Sequence, residues 1–254
     1  GLIIMNHRIQ LKENIKRNYI FTLIQNIDLT RGIWMIYLAD KGMSLTELGL
    51  LETIFHIASF LMEVPTGAVA DIFGRKISRI SGRVLSLISV IILLAADSFL
   101  WFAISFVVTA LSYNLESGAG DALIYDSLKE IGEEAEYMKI SGKKEVFYQA
   151  AGIISFLAGG YLASKSYNTA FVITIVFGLA AILQSTSFKE PSIGRMDMKD
   201  DRGNIFLIQL KDSISVIRKN PRIAFLIIFT EVILTFCTCI FYYLQNFLKG
   251  SGYN

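Results

Sequence analysis

Seven stretches of this 254-residue chain run for about twenty residues with few charges, and no other feature constrains the fold as much. They are Tyr19–Leu38, Leu45–Ala70, Ile77–Ala96, Phe99–Ser127, Val146–Ala163, Ala170–Phe188 and Ile223–Leu248. A helix crosses roughly 30 Å of hydrocarbon with about 20 apolar residues. In that medium every backbone polar group must be satisfied inside the protein, so only helices and closed barrels cross it. The runs are continuous rather than alternating over about ten residues, which excludes barrel strands. The expected class is an all-α integral membrane bundle of about seven spans.

Composition agrees, with 53% apolar and 18% charged residues, against about 45–50% and about 25% for soluble domains. Eighteen Phe and eleven Tyr are the wrong content for a disordered chain. The net charge of +2 gives no global basicity and hence no reason to expect nucleic acid. Cys237 and Cys239 share one apolar run but point in different directions on a helix, so no disulfide framework or metal site is read there. They are expected to be buried structural thiols.

Lys and Arg set the orientation. The N-terminal tail carries Arg8, Lys12, Lys16 and Arg17, and the connection after the second span carries Arg75, Lys76, Arg79 and Arg83. Lys129, Lys139, Lys143 and Lys144 follow the fourth span, and eight more bases lie between Lys189 and Arg222. The alternate loops hold only Lys41, Lys165 and Lys249. The positive-inside rule then puts the N-terminus and every basic loop in the cytoplasm. The fourth span, ending in the charged stretch Lys129 to Lys144, is expected to project into water.

Three domains follow: a six-helix bundle at 1–188, a cytoplasmic linker at 189–222, and a seventh span at 223–254. Within the linker, Phe206, Leu210, Ile214 and Ile217 recur at helical spacing opposite Lys211, Asp212 and Arg218. That pattern predicts an amphipathic helix over Ile205–Arg218, lying on the membrane face. Residues 6–18 are polar and basic, which is not a cleavable signal peptide. Met5 is a better initiator than Gly1, and Asn254 falls just after a span, so a fragment is expected.

The connection between spans two and three reads Gly67-Ala68-Val69-Ala70-Asp71-Ile72-Phe73-Gly74-Arg75-Lys76, followed by Arg79. It resembles the cytoplasmic signature loop of the major facilitator superfamily, G-x-x-x-D-x-x-G-[RK]-[RK], in register and in position between helices. Physically, Gly67 permits close helix packing, Gly74 permits a tight turn, and Asp71 can pair with Arg75 or face a helix N-terminus. The resemblance covers the whole chain and implies two six-helix halves working by alternating access around a midplane site. It also implies that Gly67, Asp71, Gly74, Arg75 and Lys76 form a conformational-switch loop. Such members often pair this arginine with an acid of the fourth span, here Asp121 or Asp126.

Two further family motifs are altered. Where the fourth span often has R-x-x-x-G-x-G, this chain has Asn114 before Gly118 and Gly120, which weakens simple proton coupling through that position. Where antiporters carry a glycine-proline motif in the fifth span, the chain offers Ala151, Ser155 and Gly159 without the proline. At i, i+4 and i+8 these make a small-residue face for close helix approach, and packing is the preferred reading.

Ionisable residues inside a membrane mark pathways, relays or pairs. Asp28 lies about 14 Å past Tyr19 at 1.5 Å per residue, with Arg31 one turn on as a possible partner. Glu52, His56 and Glu63 form one polar stripe on the second span, with His56 also readable as satisfying Glu52 at the interface. Glu63 lies ahead of Pro65, where the helix should kink. Asn114, Glu116 and Asp121 belong to the fourth span and Glu231 to the seventh. Arg31 is the sole interior cation in this reckoning, with Arg79 and Arg83 counted among the loop bases.

An acidic interior among aromatic residues favours a lipophilic or cationic substrate, or protons. The expected function is secondary transport of a small molecule in the plasma or inner membrane, with proton-coupled efflux as one form. The partners would be the bilayer, the substrate, and a missing C-terminal half or a second copy. No G-x-S-x-G, H-E-x-x-H or P-loop signals an enzyme, and no cofactor is implied. The alternative is a half-size membrane scaffold or an inactive fragment.

Overall fold

The computed structural model describes residues 2–193, 215 and 218–251. Their regular structure is helical: α1 (Leu2–Gln25), α2 (Trp34–Asp40), α3 (Leu45–Phe73), α4 (Arg75–Ala95), α5 (Phe99–Ile131), α6 (Tyr137–Ala163), α7 (Tyr167–Thr186) and α8 (Pro221–Gly250). A 3₁₀ turn, Glu134–Glu136, precedes α6. Among the described residues, five segments are long and apolar enough to cross a membrane: Leu45–Glu63, Arg75–Ala95, Phe99–Ile131, Glu134–Ala163 and Tyr167–Thr186. Their outer faces carry bare apolar side chains, Phe60 being 76% exposed, which suits a lipid solvent and not water.

The chain divides into two compact units, Gly1–Met198 and Lys199–Asn254. In the first, α4 packs chiefly on α5 and α7, α3 packs on α5, and α1 touches α5, α6 and α7. In the second, the described part is α8, within which the seventh expected span falls. Cys237 and Cys239, expected to be buried, are exposed on α8. The expected amphipathic helix at 205–218 lies outside the described residues.

The first expected span is not one helix. It divides into α1 and α2, joined by turns over 26–33. Three polar side chains draw the local backbone away from a helical ladder. Asn26 Nδ2 donates to the Thr22 carbonyl at 2.8 Å. The Asp28 carboxylate accepts from Thr30 twice, from its N–H at 2.9 Å and its hydroxyl at 2.6 Å. Irregular backbone is tolerated at membrane depth only where protein satisfies it, and α6 and α7 do so. Ser155 Oγ accepts from the Asp28 N–H and donates to the Asn26 carbonyl, both at 3.0 Å. Thr174 Oγ1 accepts from the Leu29 N–H at 3.0 Å. Gly159 lies directly against the Leu29 carbonyl, where a Cβ would collide. The small face Ala151, Ser155 and Gly159 is therefore a packing device, fully buried at its first two members.

Helix α5 has 33 residues, about 50 Å at 1.5 Å per residue, well beyond roughly 30 Å of hydrocarbon. Its projecting end is braced by the polar half of α1. His7 Nε2 lies 2.7 Å from Glu130, Arg8 donates to the Ile131 carbonyl at 2.8 Å, and Lys12 pairs with Glu133 at 2.7 Å. Beneath them Leu11, Leu123, Leu128 and Ile140 form one buried cluster.

The break generates a direct expectation. Ser155→Ala strands a buried N–H and carbonyl and should cost about 1–3 kcal/mol. In detergent this should lower Tm by roughly 2–4 °C per kcal/mol. Gly159→Val should lower folded yield further, by driving a side chain into the Leu29 main chain. Monodispersity on size exclusion and a thermal melt check both.

Candidate functional site

Two polar assemblies stand out in the first unit: one at the Arg75 end of the bundle and one inside it.

At the Arg75 end, Gly74 joins α3 to α4 with φ +102° and ψ 155°. That region is essentially reserved for glycine, so the turn depends on Gly74 as the sequence suggests. Asp71 and Arg75 flank it, paired at 2.6 Å. Arg75 Nε also reaches Asp126 on α5 at 3.5 Å. Asp121 pairs instead with Lys144 of α6. Five residues on a helix turn about 140°, which sends Asp126 toward Arg75 and Asp121 toward Lys144. Among the described residues nothing packs closely on Gly67, since a Cβ there would meet nothing within 4 Å. Lys76 contributes its main chain, discussed below.

Inside the bundle, Arg79 is one turn past Arg75 and Arg83 one turn further, about 6 and 12 Å along α4. The Arg79 side chain is 2% exposed. Its Nη2 donates to Asn18 Oδ1 at 3.0 Å and to Glu116 Oε1 at 3.1 Å, and its Nε donates to the same Glu116 oxygen at 3.2 Å. The guanidinium lies over the Phe21 ring at 4.2 Å and the Phe188 ring at 4.6 Å. Arg83 follows, its Nε buried without a hydrogen-bond partner among the described residues.

This overturns the reckoning in which Arg31 is the sole interior cation. Arg75, Arg79 and Arg83 recur every four residues on one face of α4, together with the buried Ser78 and Gly82. That spacing was the readable signal, and counting both arginines as loop charges concealed it.

At the break, Asp28 accepts from the Thr30 hydroxyl, and Arg31 Nη2 donates to the Tyr148 hydroxyl at 2.6 Å. Asn114 is engaged as a tie between helices, accepting from Ser59 Oγ at 2.7 Å and donating to the Ser59 carbonyl at 2.6 Å. On α3, His56 lies 3.7 Å from Glu52 and is 67% exposed, and Glu63 is exposed on the same helix. Glu231 belongs to α8, with its side chain outside the described residues.

The fold is a helical membrane bundle with a glycine turn flanked by an ion pair between α3 and α4, and a buried charge cluster. Its sequence matches the profile of the Major Facilitator Superfamily over residues 21–254, and the chain belongs to that family. It is therefore a multi-pass protein of the cell membrane. It is similar to an uncharacterized MFS-type transporter, YxaM, of Bacillus subtilis, with 26% identity over 223 residues, covering 87% of this chain and 55% of that protein. It is also similar to the quinolone resistance protein NorA of Staphylococcus aureus, with 24% identity over 166 residues, covering 65% of this chain and 42% of the relative. The chain thus spans about half the length of the curated relatives it matches.

The buried pair supports a double-mutant test. Arg79→Ala or Glu116→Ala leaves an uncompensated charge in a sealed site and should cost about 3–5 kcal/mol, seen as lost folded yield. Arg79→Met combined with Glu116→Leu should be distinctly less damaging than the sum of the single changes, as read by thermal melts.

Proposed function

We propose that this protein is a secondary active transporter that exports a small lipophilic, charge-carrying compound by alternating access, with its basic loops in the cytoplasm and protons as the coupling ion. The observation that carries the reading is the Arg75 assembly. One arginine ties the end of α3 to α5 across a turn that only glycine adopts easily. Such a tie holds one arrangement of helices through contacts that can be broken, as a rocking bundle requires. The name of the relative NorA, a quinolone resistance protein, supports the export of a drug-like compound.

The buried arginines refine the substrate. Arg79 pairs with Glu116 and Arg83 is buried one turn further along α4, so the enclosed part of this bundle holds cations as well as acids. A compound bearing both charges suits such an interior as well as a plain cation does. The proton-pathway candidates are then the unsealed acids of α3, Glu52 with His56, and Glu63. The second wall of the cavity, from further chain or a second copy, is part of the proposal.

The test is export from cells expressing the whole coding sequence, with ethidium as the cationic probe and a zwitterionic fluoroquinolone as the other. Asp71→Asn and Gly74→Val should each reduce energised efflux at least about tenfold, with membrane abundance near that of the parent. A scaffold would tolerate both substitutions, and an unchanged efflux rate would overturn the assignment of the switch.

A further inference from the structure

The segment following α7 is fastened to the bundle one residue after another. Phe188 is 2% exposed, edge-on to Phe21 at 5.6 Å and lying over the Arg79 guanidinium. Lys189 is held at both main-chain groups by Asn14: its N–H donates to Oδ1 at 2.9 Å, and its carbonyl accepts from Nδ2 at 2.7 Å. Glu190 places its two carboxylate oxygens on successive N–H groups at the start of α4, Arg75 and Lys76, each at 2.7 Å. Ser192 donates its N–H to Glu130 at 2.6 Å, and its hydroxyl is 3.4 Å from His7 Nε2.

These fastenings differ in kind. Phe188 is buried among aromatic rings and an enclosed charge, so removing it would expose apolar surface and strip the Arg79 guanidinium. Glu190 makes charge-assisted hydrogen bonds from a half-buried position, strong enough to hold and weak enough to release. Its placement at a helix N-terminus adds a favourable dipole. Arg75 is the point where two systems meet. Its side chain holds Asp71 and Asp126, and its main chain holds Glu190. Moving Arg75 to break one set displaces the donor of the other.

We propose that Glu190 is a positioning residue of the switch: it clamps the head of the linker to the main chain of the Gly74 hinge, and the clamp opens together with the Arg75 ion pairs in each transport cycle. This rests on the transport reading above. The linker is then more than a tether, because its first residues follow the state of the hinge.

The test replaces His7 and Ser192 by cysteine in a cysteine-free form of the full-length protein. The pair is bridged with a short bis-methanethiosulfonate reagent, since the two side chains touch only through the length of the imidazole. Cross-linking should cut ethidium efflux at least about tenfold, and dithiothreitol should restore it. Efflux that continues with the cross-link intact would show a static anchor and overturn the proposed opening. Adding Glu190→Gln should slow cross-linking about tenfold, as expected for losing a charge-assisted hydrogen bond. An unchanged cross-linking rate would show that Glu190 does not hold the linker. If the parent protein moves neither probe, the transport reading fails and the opening with it, while the cross-linking rate still decides the clamp.

Discussion

The bundle is organised around a guanidinium that has no access to water. Arg79 is held by Asn18 from α1, Glu116 from α5, and the rings of Phe21 and Phe188, while it is itself part of α4. Enclosing a charge carries a desolvation cost that attraction offsets only when the geometry is good and the donors are used. Most of the Arg79 donors are used, with Nη1 left over. Because its partners come from α1, α5 and the segment after α7, the charge fixes how α4 meets those parts. Apolar packing alone would permit many rotations of one helix against another in a lipid solvent.

The second constraint is the interruption between α1 and α2. Unwinding a helix inside a membrane exposes polar main chain, and the sequence supplies the remedy on other helices: a serine and a threonine at the right depth and a glycine where the carbonyl must fit. Asp28 is thereby held at the break, where its carboxylate accepts from Thr30.

The long apolar runs made the class, the positions of most helices and the resemblance legible, because length and continuity are properties of one segment at a time. Gly74 and Asp71 were legible for the same reason, being local in both sequence and space. Arg79 and Arg83 were visible as residues but placed wrongly. Their role depends on how far α4 sinks into the bundle and on Glu116, 37 residues away in the chain. The break in the first span was missed because its apolar content suits a helix; the decision lies with Asn26, Asp28 and Thr30 competing for the backbone and with Ser155 and Thr174 making the result affordable. Asp126 was separated from Asp121 only by helix phase relative to α4 and α6, which one helix's sequence does not contain.

The distribution of polar contacts by depth also bears on how such a bundle moves. Within the enclosed part, Arg79 with Glu116 joins α4 and α5 around a guanidinium shielded from water, where breaking the pair leaves a polar group stranded at high cost. Toward the Arg75 end, the pairs Arg75–Asp71, Arg75–Asp126, His7–Glu130 and Lys144–Asp121 are partly open to solvent, and water can replace either partner. The cost of rearrangement therefore falls from the interior to the loops. A bundle built in this way resists distortion around its enclosed charge, so the proposed switch would be taken up at Gly74 and at the segment after α7.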